Sequence, residues 1–162
     1  MNRRTLLNGL AATGAALLAG CSSSGGDGED PGTDETTEPG SSQSPTLQDT
    51  EFVVDDRMSG GERDEATVRF EESRVVVEGV IWGSDGCKTA TLLGSDYDRE
   101  SNTQTVTVGT TDREGTEDQA CTEAIVEIEY TATATFEGGL PGRVVVEHDH
   151  GNEPVQVTEA EL

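Results

Sequence analysis

Positive charge is nearly absent from this chain. Ten lysines and arginines stand against 33 aspartates and glutamates, for a formal net charge of −23, and Lys88 is the single lysine. Nothing here can neutralise a row of phosphates, so nucleic acid is excluded as a partner. In dilute salt so many carboxylates repel one another and oppose compaction. At molar salt the Debye length falls to about 3 Å and that repulsion is screened. The composition is that of a salt-adapted, solvated surface, such as a halophile uses, and not of a docking site for a basic protein. Histidine is almost as scarce, with two residues, and no Asn-x-Ser/Thr sequon for N-linked sugar occurs. From Glu51 onward no helical hydrophobic period runs long enough to mark a helix, which leaves an all-β domain.

A long hydrophobic run is missing as well. The uncharged stretch from Thr5 to Gly20 is short and rich in Ala and Gly, a poor membrane span. It follows the pair Arg3-Arg4 and ends in Leu18-Ala19-Gly20-Cys21, small residues before a cysteine that a signal peptidase recognises and a lipid can occupy. Residues 1–20 are therefore expected to be a Tat-type lipoprotein signal peptide, with Cys21 the lipidated first residue of the mature chain; an uncleaved anchor is the alternative. Loss of Arg3 and Arg4 takes the net charge from −23 to −25. Residues 21–49 are dominated by Ser, Gly, Thr, Pro and acid, a disordered tether. A flexible coil of about 28 residues spans about 30 Å, and repulsion among Asp27, Glu29, Asp30, Asp34, Glu35 and Glu38 lengthens it. The expected location is the cell membrane, lipid-anchored, on the extracellular face.

Cysteine is limited to three residues, and the anchor takes one. Beyond the reach of cytosolic reductants, Cys87 and Cys121 most simply form a disulfide, worth about 3 to 4 kcal/mol by loop-closure entropy. A metal site or two free buried thiols are the alternatives, disfavoured because no Cys-x-x-Cys or nearby histidine completes a tetrahedral set.

Residues 50–162 form one domain. Its short β-rich runs are separated by Gly, Asp and Asn. Phe52-Val53-Val54 opens it, and Asp55 to Glu65 reads as a polar loop. Thr67 to Glu71 alternates, and Ser73 to Trp82 is apolar on both faces, as a strand inside a sandwich should be. Lys88 to Leu93 and Thr105 to Val108 follow. Cys121 to Phe136 has Ala124, Val126, Ile128, Tyr130, Ala132, Ala134 and Phe136 on one side. At about 3.3 Å per residue it is too long for one strand of a small domain, and Cys121 has the wrong parity, so a bulge or an outer-face disulfide is expected. Arg143 to Asp149 and Pro154 to Thr158 complete the set. About seven strands with regular turns predict an antiparallel β-sandwich of immunoglobulin-like architecture, with a small barrel as the alternative.

Chemistry has few places to sit. His148 and His150, separated by Asp149, project from one face of a strand and can hold Zn or Cu if further ligands come from elsewhere. The plain alternative is a polar strand end. Asp96 to Asn102 alternates oxygens like half a calcium loop, but lacks the sixth-position glycine and has Thr107 at the twelfth, so an acidic hairpin turn is the better reading. Gly83-Ser84-Asp85-Gly86 is not the Gly-x-Ser-x-Gly elbow, and few nucleophile and base pairs can be drawn. No catalytic residue and no cofactor are expected. The function that follows is a non-catalytic interaction or ligand-binding module, its protein or small-molecule partner unspecified. A metal-handling lipoprotein built on His148 and His150, or a hydrolase, is the alternative.

The run Gly83-Ser84-Asp85-Gly86-Cys87-Lys88-Thr89-Ala90, then Tyr97-Asp98, then Ala120 to Tyr130, Phe136 to Pro141 and Val144 to His148 resembles a set of haloarchaeal secreted lipoproteins. These share the twin-arginine signal, the lipobox, an acidic tether and one β domain. The resemblance covers nearly everything except the tether. It implies the disulfide and the surface location, and carries no activity with it.

Overall fold

The computed structural model describes residues 44–162. Cys21, the signal peptide and most of the expected tether lie outside the described residues. The domain is all-β: β1 (Thr46–Ser59), β2 (Glu65–Phe70), β3 (Arg74–Gly83), β4 (Lys88–Asp98), β5 (Thr103–Asp112), β6 (Val126–Glu137), β7 (Arg143–Asp149) and β8 (Val155–Glu161). They form two four-stranded sheets, ordered β1-β6-β3-β2 and β4-β5-β7-β8. All pairings are antiparallel except β5 with β7. The expected two-layer sandwich is the fold, with eight strands where about seven were read.

The core comes from alternation. On β6, Val126, Ile128, Tyr130, Ala132, Ala134 and Phe136 are buried while Glu127, Glu129 and the intervening threonines face outward. They meet Val75, Val77 and Ile81 of β3, Val106 and Val108 of β5, and Val144 and Val146 of β7 in one cluster. Val76 and Val80, on the other face of β3, are also buried. That agrees with the two-sided apolar character read from the sequence of this strand.

Two boundaries differ from the sequence reading. Strand β1 begins at Thr46, inside residues 21–49, because Leu47 packs against the core and Thr46 and Leu47 pair with Glu137 and Phe136. It also runs on through Asp55, Asp56 and Arg57 to Ser59, where a polar loop was expected. An edge strand keeps its backbone hydrogen bonds to β6 even where both faces are wet, so polar residues do not end it. Conversely, Cys121 to Ile125 precede β6 and are not strand, which removes the parity conflict at Cys121.

The Cys87–Cys121 disulfide is formed, with Cα atoms 5.4 Å apart. It ties the turn after β3 to the long segment between β5 and β6. Around it, Gly86 N–H donates to Thr122 O (2.9 Å) and Arg113 N–H to Cys87 O (2.9 Å). A Cβ at Gly86 would overlap the Thr122 hydroxyl and make that side chain turn away.

Candidate metal centre at the rim of the sandwich

The parity that buries Val144 and Val146 carries His148 to the same inner face, where its side chain is 1% exposed. His150 lies just past the end of β7 and is partly exposed, at 22%. The two imidazoles are near-perpendicular, with ring centroids 6.5 Å apart. The sequence reading gave the pair but no third ligand.

The third group is Asp64, the residue before β2. Its loop is fastened to β6 through Glu127: Gly61 N–H donates to Glu127 Oε1 at 2.8 Å, and Arg63 lies 3.3 Å from Glu127 Oε2. Gly60 N–H also donates to Ile125 O at 3.2 Å. Held this way, the Asp64 carboxylate meets three rings. His148 Nδ1 is 2.7 Å from Oδ1, and His150 Nε2 is 3.0 and 3.1 Å from Oδ1 and Oδ2. Trp82 Nε1–H donates to Oδ2 at 2.9 Å. The Trp82 indole stacks on His150, centroids 4.5 Å apart and planes 22° from parallel.

Behind His148 stands Tyr130 of β6, its hydroxyl 2.8 Å from His148 Nε2. Tyr130 faces Gly79 across the β3–β6 pair, and any Cβ at Gly79 would overlap the phenol oxygen. The bare backbone of β3 lets the phenol reach over that strand towards β7.

Proton positions follow from donor and acceptor inventory. A carboxylate only accepts, so His148 Nδ1 carries the hydrogen towards Asp64. Burial is the main influence on the His148 ring and lowers its pKa; the bond to Asp64 works the other way and His150 adds to the lowering. The ring is therefore neutral at pH 7, and Nε2 accepts from Tyr130. Burial, then the charge of Asp64, pushes the Tyr130 phenol well above its ordinary value, so it remains a donor.

Asp64, His148 and His150 place ligand atoms within 4.8 Å of one another. In a tetrahedral site with metal–ligand distances of about 2.0 to 2.2 Å, donor atoms sit about 3.3 Å apart. To admit an ion the His148–Asp64 distance must open from 2.7 Å by about 0.6 Å and the His150–Asp64 distance from 3.0 Å by about 0.3 Å, and the Asp64 side chain is 30% exposed. Two imidazoles and one carboxylate suit Zn, Cu(II) and similar ions better than Ca or Mg. A second group, Asp85 with Cys87 and Cys121, also lies within this range, but its sulfurs are spent in the disulfide.

Other sequence candidates resolve plainly. Ser84 Oγ donates to Asp85 Oδ2 at 3.1 Å. In the Asp96 to Asn102 stretch, Asp98 accepts from Glu100 N–H (2.9 Å) and Ser101 Oγ (2.8 Å), and Tyr97 donates to Asn102 Oδ1 (2.6 Å). These bonds close a β4–β5 hairpin turn. Comparison with protein-family models, with curated proteins and with solved structures yields no match to this chain.

Proposed function

We propose that the chain is a non-catalytic ligand-binding lipoprotein, anchored through lipid on Cys21 at the outer face of the cytoplasmic membrane, and that its ligand is a divalent transition-metal ion. Asp64, His148 and His150 hold the ion, leaving one position on the solvent side for water or an exchanging ligand. The reading is carried by one observation: an exposed carboxylate and two imidazoles, drawn from separate parts of the chain, converge with ligand atoms within 4.8 Å. The general setting, a salt-adapted exported β domain on an acidic tether, rests on the signal-like N-terminus, the composition and the resemblance to haloarchaeal lipoproteins.

Trp82 is the chain's single tryptophan and touches both Asp64 and His150, so the site has a built-in reporter. Titration of the chelator-treated full chain in molar KCl with Zn, Cu(II) and Ca, followed by Trp82 emission, tests the proposal. Saturation at one Zn or Cu per chain is expected, with no response to Ca. His150→Ala should weaken binding about a hundredfold or more, beyond the 10- to 100-fold that loss of an outer partner brings. A flat titration sets the metal aside. The interaction-module reading then remains, with Asp64 acting as a hydrogen-bonded clasp across the rim, and cross-linking on intact cells becomes the route to the partner.

A further inference from the structure

In the ion-free arrangement His148 has both nitrogens committed: Nδ1–H donates to Asp64 at 2.7 Å, and Nε2 accepts from the Tyr130 hydroxyl at 2.8 Å. A metal ion bound between Asp64 and His150 needs the lone pair of Nδ1, the nitrogen that carries the hydrogen. We infer that Tyr130 is the positioning residue of this site, and that metal uptake reverses the Tyr130–His148 hydrogen bond by moving the His148 tautomer from Nδ1–H to Nε2–H. The inference rests on the metal reading above and adds how the site accommodates its ion.

The balance of atoms is simple. On His148 one proton leaves Nδ1 to solvent as the metal–nitrogen bond forms and one is taken up at Nε2; the hydrogen that His150 Nε2 directs at Asp64 is given up in the same way and replaced at Nδ1, so both imidazoles stay neutral. Nε2–H is then a buried donor that needs an acceptor, and the Tyr130 oxygen is already within hydrogen-bond distance. The phenol changes from donor to acceptor without moving its ring. Its own hydrogen must then find another acceptor, and Tyr130 borders a cleft of about 450 Å³, shared with Gly79, Thr67 and Glu129, from which water can supply one. The tyrosine can serve both states because a hydroxyl donates and accepts, which neither a carbonyl nor an amide N–H does. A metal-bound imidazole is a stronger donor through its second nitrogen, so the bond matters more in the loaded state, and ligand histidines generally rely on such a partner.

The test is the side-chain ¹⁵N spectrum of His148 in the full chain in molar KCl, with chelator and then with one equivalent of Zn. The metal-free chain is expected to show the Nδ1–H tautomer, and the Zn form the Nε2–H tautomer with Nδ1 bound. Tyr130→Phe should lower Zn affinity by about 10- to 100-fold while stoichiometry and the β circular dichroism spectrum persist. A metal-free Nε2–H tautomer, or Zn bound with Nδ1 still protonated, overturns the inference while leaving the metal site standing. A Tyr130→Phe chain that folds and binds Zn with unchanged affinity overturns the role of Tyr130. If the wild-type chain takes no Zn at all, the parent reading fails, and this one with it. The wild-type spectra decide the matter even if Tyr130→Phe does not fold.

Discussion

Asp64 is one carboxylate among 33 acidic residues, and only its neighbours distinguish it. Three ring N–H groups point at it, and one of them belongs to His148, a buried ring. Removing the acceptor strands that buried donor, which costs about 1 to 3 kcal/mol. Asp64→Ala is therefore expected to lower the unfolding midpoint in guanidinium, measured in molar KCl with chelator present, and to shift Trp82 emission as its N–H loses Asp64. Gly79 has its role for the opposite reason, because it must contribute nothing. Gly79→Ala pushes a methyl group into the Tyr130 hydroxyl; overpacking of this kind costs about 1 to 3 kcal/mol and displaces the phenol from His148. Chemical denaturation together with Zn affinity should show both losses at once. Neither residue was legible in the sequence. An aspartate in an acid-rich polar loop carries no mark, and a glycine inside a strand announces a close approach without saying to what.

At the level of elements, the strands with one clear face were readable. Alternation in β6 and the valine run of β7 gave nearly correct strands and placed His148 on a strand. What the sequence concealed was the edge. Strand β1 continues through Asp55, Asp56 and Arg57 because β6 supplies its hydrogen bonds, an arrangement with no hydrophobic signature. That error also hid the third member of the candidate site, since the loop bearing Asp64 is set by where β1 ends and by the contacts of Gly61 and Arg63 with Glu127. The disulfide was readable from the number of cysteines together with the exported location expected from the N-terminal residues. Replacing both Cys87 and Cys121 with serine is expected to cost about 3 to 4 kcal/mol in denaturant unfolding. The turn before Cys87 adds an acid-sensitive contribution. Asp85 is held below the ordinary carboxylate value first by the Cys87 N–H, at 2.9 Å, and further by the Ser84 hydroxyl and the charge of Lys88. Its folded pKa lies below its unfolded one, so its stabilisation is complete above the unfolded value of about 3.9 and fades as pH falls through the folded value. Asp85→Asn should flatten the fall of thermal stability below about pH 4.

For the whole molecule, charge sets the conditions under which the rest holds. Residues 44–162 hold 27 of the 33 acidic side chains and 8 of the 10 basic ones, a net −19, around a core that is mostly valine, alanine and isoleucine, and this stores repulsion that salt relieves. Raising KCl from roughly 0.15 M to 1 M shortens the Debye length from about 8 Å to about 3 Å, so Tm should climb across that range; a Tm indifferent to KCl would remove the salt-adaptation reading. Repulsion of this kind also explains why exposed carboxylates are poor guides to function here. Most are solvated surface, and Asp64 differs because two imidazoles and an indole have been brought to it. Anomalous scattering at the zinc edge from crystals of the zinc-equilibrated full chain tests that distinction most directly. One peak about 2.0 to 2.2 Å from His148 Nδ1, His150 Nε2 and an Asp64 oxygen is the expected result, whereas zinc on scattered surface acids with these three side chains still hydrogen-bonded to one another would contradict it.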